Sequence, residues 1–203
     1  MKKTLSLLLS VILLAVSLTA CAQKQDETTN TVSPTTLTAR EQMLVGSQDV
    51  FMYDFETDAT YHSVTVTVEA YKNGQKTSNA ANLQCTIPSN AKKNGNNSGT
   101  IAVMLSADHR FSAAVCDQDG SVISSFGSDV VEPIEKLKKT EAVEVTDRQA
   151  IPAGGTLTLA YLAYGDEEKT QGAFSKNVFL DPANNAEQAA AFSRIYLIRC
   201  SFS

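Results

Sequence analysis

Val64, Val66, Val68 and Ala70 alternate with Thr65, Thr67, Glu69 and Tyr71, a period of two carried largely by β-branched residues. That period puts the two sets on opposite faces of a strand, and it predicts the clearest strand in the chain. Asn73-Gly74 follows at once, and both residue types tolerate positive φ, so a tight hairpin is expected there. Its return strand should run from about Gln75 toward 83–87, where Pro88 ends the pairing. Residues 88–99 are Asn, Lys, Gly and Ser with little apolar content, and they read as an exposed loop. Residues 100–105 read as a buried strand. A second hairpin is expected where 111–116 and 121–126 flank Asp117-Gln118-Asp119-Gly120. Residues 142–146 alternate again, 151–155 form a bend, and 156–164 are apolar on both faces, as an interior strand requires. A short strand over 177–180 and a final strand over 195–202 complete the β pattern.

Helices are few. Asp181 followed by Pro182 suits the start of a short helix over the alanine-rich 186–192. Thr38 with Glu41 forms a capping-box pattern, and Gly46 could end a second short helix. Residues 130–139 carry mixed signals compatible with one helical turn. Short strands at hairpin spacing with one or two small helices define an all-β class, a single antiparallel β-sandwich. An immunoglobulin-like arrangement is the expected one, although the chain has no Trp to fill the position that marks true immunoglobulin domains. A partly closed barrel is the alternative.

The N-terminus follows a different pattern. Lys2 and Lys3 precede an apolar run over residues 5–16, which is short for a bilayer span, and Leu18-Thr19-Ala20-Cys21 follows. This sequence resembles the signal peptide and lipobox of bacterial lipoprotein precursors. The resemblance covers residues 1–21 only. It implies cleavage before Cys21 and acylation of its sulfur, hence a cell-membrane or outer-membrane lipoprotein facing outside the cytoplasm. In such lipoproteins an Asp after the cysteine marks inner-membrane retention, and here Ala22 stands in that place. Two or more acyl chains hold firmly where one does not. Residues 22–37 are polar apart from Val32 and Leu37, too poor in apolar surface to offset their ordering entropy, and they read as a flexible tether. The expected organisation is therefore a signal peptide at 1–20, lipidated Cys21 and tether at 21–45, and a β-sandwich at 46–203.

Composition narrows the partners. Removing residues 1–20 takes away Lys2 and Lys3, leaving 15 Lys and Arg against 22 Asp and Glu, a net charge of −7. An acidic domain argues against nucleic acid and against electrostatic docking on anionic lipid. Cys85, Cys116 and Cys200 remain besides Cys21, an odd count that leaves at least one thiol. All three lie in apolar runs and read as small buried hydrophobes. One disulfide among them stays open, and their spacing does not suit zinc.

Candidate chemistry is sparse. Ser106, Asp108 and His109 sit close together at a strand end, where turn polarity explains them, and no Gly-x-Ser-x-Gly elbow exists. Asp117-x-Asp119-Gly120 shares part of a calcium loop but lacks the distal glutamate. Asp54, Glu56, Asp58 and His62 read as a solvated acidic edge, and Asp166-Glu167-Glu168 as a loop tip. Gly154-Gly155 lacks the Lys-Ser/Thr sequel of a phosphate loop. No catalytic residue, metal site or cofactor is assigned. Exposed aromatics often carry affinity, which makes Tyr53, Tyr71, Tyr161 and Tyr164 the candidate binding residues, with Tyr61 beside them. The expected role is a monomeric, non-enzymatic interaction module on the membrane, contacting another envelope protein. A ligand- or glycan-binding lipoprotein with a defined pocket and a carboxylate- or metal-dependent hydrolase are the alternatives.

Overall fold

The computed structural model describes residues 30–203 apart from Ser47, 88–95, Gln118, 131–137 and 166–179. Two antiparallel sheets pack face to face. Their strands are β1 (Thr31–Pro34), β2 (Asp49–Thr57), β3 (Ser63–Lys72), β4 (Gln75–Thr86), β5 (Asn97–Leu105) and β6 (Arg110–Asp117). The others are β7 (Val122–Val130), β8 (Lys138–Glu144), β9 (Gln149–Ala150), β10 (Thr156–Gly165) and β11 (Arg194–Phe202). One sheet has the order β7-β6-β5-β2-β1-β9 and the other β4-β3-β11-β10-β8. The chain crosses between sheets from β2 to β3 and returns from β4 to lay β5 beside β2. Along one side the edges β4 and β7 approach within 8 Å, Cα to Cα, without forming a ladder. The all-β sandwich expected from the pattern is therefore the fold.

The first hairpin forms where Asn73-Gly74 stands. Both residues take positive φ, at 50° and 78°, and β4 runs back along β3 with two bulges. Gly74 serves a second purpose, since a Cβ there would lie 2.3 Å from the backbone oxygen of Ala186. In the second hairpin Asp117 Oδ1 accepts from the backbone N–H of Asp119 at 3.0 Å and of Ser121 at 2.8 Å. Self-bonding of this kind is how aspartate shapes a turn.

Four expectations need correction. Residues 31–34 of the tether are a strand: Val32 is buried in the core, and β1 pairs with both β2 and β9. A polar segment with one well-placed valine gains ladder bonds once a sheet edge is offered to it. Asp54 and Glu56 are solvated as expected, but the stretch that carries them is a strand, β2, with Phe51, Tyr53, Phe55 and Thr57 pointing inward and the acids outward. Of the loop expected over 88–99, residues 88–95 lie outside the described residues and 97–99 belong to β5, paired with β2, where a Cβ at Gly99 would stand 2.7 Å from the Phe55 ring. The helix after Asp181 is only α2 (Ala186–Ala189), and its N-cap is Asn185. Asp181 instead holds the preceding turn, accepting from the Asn184 backbone N–H at 3.2 Å.

The Thr38 capping box forms as read and starts α1 (Ala39–Val45). The helical turn considered for 130–139 falls largely outside the described residues, and Lys138 and Lys139 belong to β8. Of the short strand expected over 177–180 only Leu180 is described, and it is not in a strand.

Between the sheets lies one large core, with edge-on aromatic pairs at Phe111–Tyr196 (5.1 Å) and Tyr164–Tyr196 (6.0 Å) and a tilted pair at Phe55–Phe202 (5.4 Å). A second, smaller core lies outside the five-stranded sheet. There Ala189 and Phe192, from α2 and the turn after it, cover Tyr71, Tyr161, Ile195 and Leu197.

Candidate functional site

The four candidate tyrosines do not form a surface. Tyr53, Tyr71, Tyr161 and Tyr164 are 1%, 3%, 3% and 5% exposed. Tyr53 faces the main core and donates its hydroxyl to the Leu159 carbonyl at 2.6 Å. Tyr164 lies edge-on to Tyr196. Tyr71 does project from the polar face of β3, as the alternation implied, but the α2 segment covers it. Its hydroxyl donates to Glu69 at 2.9 Å, and burial followed by Glu69 pushes its pKa up to about 12. Tyr61 packs on Phe202 at the core's margin. The surface these rings were expected to present is absent because rings on a sheet face gain more from a covering segment than from water.

Cys85, Cys116 and Cys200 are free thiols, with no disulfide among the three. Cys85 and Cys200 point into the core, and burial pushes the Cys200 thiol up to about 12, far from thiolate chemistry. Cys116 is half-buried on the outward face of β6. Cys21 and Asp166-Glu167-Glu168 lie outside the described residues.

Ser106, Asp108 and His109 form the β5–β6 turn. Ser106 Oγ donates to the Asp108 carboxylate and accepts from the Arg110 backbone N–H at 3.2 Å, so the hydroxyl is engaged in shaping the turn. Asp54 accepts from Thr100 Oγ1 at 2.7 Å, and Glu56 pairs with Arg148 at 3.4 Å. Asp58 accepts from Thr60 and Asn30, whose hydrogen bonds hold its carboxyl below the usual range. Among the described residues no three His, Cys, Asp or Glu side chains are grouped to hold a metal ion. Nor is any helix among them long and apolar enough to cross a membrane.

Two surface features stand out. On the outer face of the five-stranded sheet a shallow polar groove of about 170 Å³ is lined by Thr65, Thr67, Glu69, Asn79, Arg199 and Ser201. Burial alone would raise the Glu69 carboxyl. Hydrogen bonds from Lys76 (2.5 Å) and Tyr71, with the charge of Arg199 (3.5 Å), outweigh it and hold the carboxyl below the usual range. The groove is small, and its charged groups are already paired.

The outer face of the six-stranded sheet is different. The inward set of β2 and β5 is Phe51, Tyr53, Phe55, Ile101, Val103 and Leu105, so the outward set includes Val50, Met52, Ala102 and Met104. Register aligns Val50 with Met104 and Met52 with Ala102, and Ala102 in turn with Ala114 on β6. These five side chains are only half-buried, and none belongs to either core. Thr100 and Asp54 mark the polar margin.

At one corner β1 stops at Pro34, and Thr35 N–H makes a last bond to the Met52 carbonyl at 2.8 Å. Beyond it opens a cleft of about 360 Å³, lined by Pro34, Leu37, Gln42, Val50, Met52 and Glu144. That is within the size range of small-molecule sites. Burial raises the Glu144 carboxyl, a shift opposed in part by the nearby Tyr53 hydroxyl. The sequence reading missed this face, although the signal was available. Residues 53–57 alternate, and extending that strand back to residue 50 would have put Val50 and Met52 outside.

The arrangement offers adaptable apolar contact and one partly buried carboxylate, with no nucleophile–base pair among the described residues that line it. Methionines bend to fit irregular partners and are over-used at surfaces that bind other proteins. Of the chain's four methionines, Met52 and Met104 lie on this face, and Met43 lies on α1 next to the cleft. No curated protein and no solved structure matches the chain. Residues 31–202, from the first strand to the end of the last, match the YgaN domain, and the chain belongs to that family.

Proposed function

We propose that the protein is an extracytoplasmic lipoprotein, acylated on Cys21, whose sandwich is a non-enzymatic interaction module for another envelope protein. The observation that carries the interaction role is the outward apolar row Val50, Met52, Ala102, Met104 and Ala114, beside the strand that leads back to the N-terminus. These side chains are half-buried and belong to neither core, and contiguous apolar surface left open to water on a folded domain is the kind that marks contact sites. Support for the anchor comes from Lys2-Lys3, the apolar run and Leu18-Thr19-Ala20-Cys21.

The test has two parts. Palmitate labelling and detergent-phase partition should follow wild type and be lost in Cys21→Ala; labelling that survives the substitution overturns the anchor. A photo-crosslinking side chain at Met104, in intact cells, should give one dominant protein adduct that the same group at Asn79 does not. Equal adduct patterns from the two faces overturn the interaction surface. A second reading, ligand binding, draws on the 360 Å³ cleft and its Glu144 carboxyl.

A further inference from the structure

Met43 and Leu44 are 84% and 82% exposed, the most exposed large apolar side chains among the described residues. They sit side by side on α1, which buries none of its residues. A seven-residue helix is marginal on its own in water. This one is held at its N-terminal end: Thr38 N–H donates to Glu41 Oε2 at 2.7 Å, Thr38 Oγ1 accepts from Glu41 N–H at 3.3 Å, and Gln42 Nε2 donates to the Leu37 carbonyl at 3.3 Å. The helix is thus kept formed while its apolar pair points away from the domain. Arg40 is three and four residues before the pair, on the same side, where its charged head can remain at the level of phosphates.

We infer that Met43 and Leu44 enter the headgroup–acyl boundary of the membrane that carries the Cys21 anchor, fixing the domain with α1 against the bilayer. This rests on the lipidation proposed above. Chain length decides between a bilayer and a distant partner. Cys21 lies nine residues before Asn30, a reach of about 30 Å at ~3.3–3.6 Å per residue. Ala39 lies nine residues after Asn30, along a path shortened by the Thr35–Met52 bond. Once the acyl chains are seated, the tether therefore always permits α1 to touch the same membrane. Lying in the interface plane with the apolar side buried by about 5–10 Å is the ordinary geometry of such helices. The domain's negative charge makes a zwitterionic surface the suitable one.

The chain has no Trp, so Met43→Trp gives a single reporter at a position too exposed to disturb the fold, and Leu44→Trp gives a second. Val122→Trp is the control, at a residue 62% exposed on β7, the far edge of the six-stranded sheet. Acylated full-length protein is bound to phosphatidylcholine vesicles. At positions 43 and 44 the emission should move to shorter wavelength, lose quenching by aqueous acrylamide and gain quenching by brominated acyl chains, while position 122 stays as in water. Protein that sediments with the vesicles but keeps a water-like reporter at position 43 overturns the inference and leaves the anchor intact. Protein that fails to sediment overturns the anchor itself. A shift seen only in native membranes, and not on lipid alone, overturns it in favour of a protein occupant.

Discussion

The two outer faces of the sandwich meet the same problem and resolve it differently. Both sheets carry apolar side chains on the face turned away from the main core. On the five-stranded sheet Tyr71, Tyr161, Ile195 and Leu197 are roofed by Ala189 and Phe192, and they are fully buried. On the six-stranded sheet Val50, Met52 and Met104 have no such roof among the described residues and stay half-buried. An outward apolar residue is therefore structural where the chain folds back over it. Where nothing folds back, it is available for contact. The side chains differ too: both tyrosines lie under the roof with Ile195, Leu197 and Ala163, and both methionines lie in the open with Val50 and two alanines.

The most damaging way to break this contrast is to remove the roof. Phe192→Ala should cost about 3–5 kcal/mol, as large-to-small changes at fully buried aromatics do. Thermal unfolding should fall by roughly 2–4 °C for each kcal/mol in a domain of this size. A loss under about 1 kcal/mol would mean the second core is not a packed core.

Gly74→Ala should come next, at ~1–3 kcal/mol. The added methyl meets the Ala186 carbonyl at 2.3 Å and forces an L-residue to a φ of +78°. Chemical denaturation measures it, and a neutral result would show that the hairpin tip does not seat the α2 segment.

Glu69→Gln probes the polar half of the covered face. The carboxyl is held below its ordinary value, so the charged form is favoured by folding. Its contribution is complete above about pH 4.5 and fades as pH falls through the lowered value. The group is partly exposed, so the loss should be only ~1 kcal/mol at about pH 7. Wild type and variant should converge as pH falls through that lowered value, and a difference independent of pH would rule out the ion-pair origin.

The smallest stability effect is expected on the open face. Met52→Ser with Met104→Ser should shift stability by less than about 1 kcal/mol, since neither residue belongs to a packed core, while weakening the adduct formed by a crosslinking side chain placed at Ala114 on the same face. A large fall in melting temperature would show that the face is packed after all.

Much of the fold was legible locally. The hairpins at Asn73-Gly74 and Asp117–Gly120, the interior strand β10 and the terminal strand β11 follow from periodicity and turn chemistry that act over a few residues. β1 was hidden because its four residues have little tendency of their own, and their ladder bonds exist only once β2 and β9 lie alongside. β2 was overlooked for another reason: Asp54 and Glu56 drew attention as charges, when their spacing showed that the residues between them were the core. The tyrosines were misplaced as surface groups because alternation tells which face a side chain leaves from, and says nothing of what lies above that face.

By itself, the sequence determined the β class, the capped helix at Thr38, the turns and the acidic balance, all consequences of neighbours within a turn or of simple counts. Tertiary structure decided which of two outward apolar faces would be buried. That depends on where the segment after residue 180 comes to rest, and a contact between residues more than a hundred positions apart, such as Gly74 and Ala186, leaves no periodic trace in the chain.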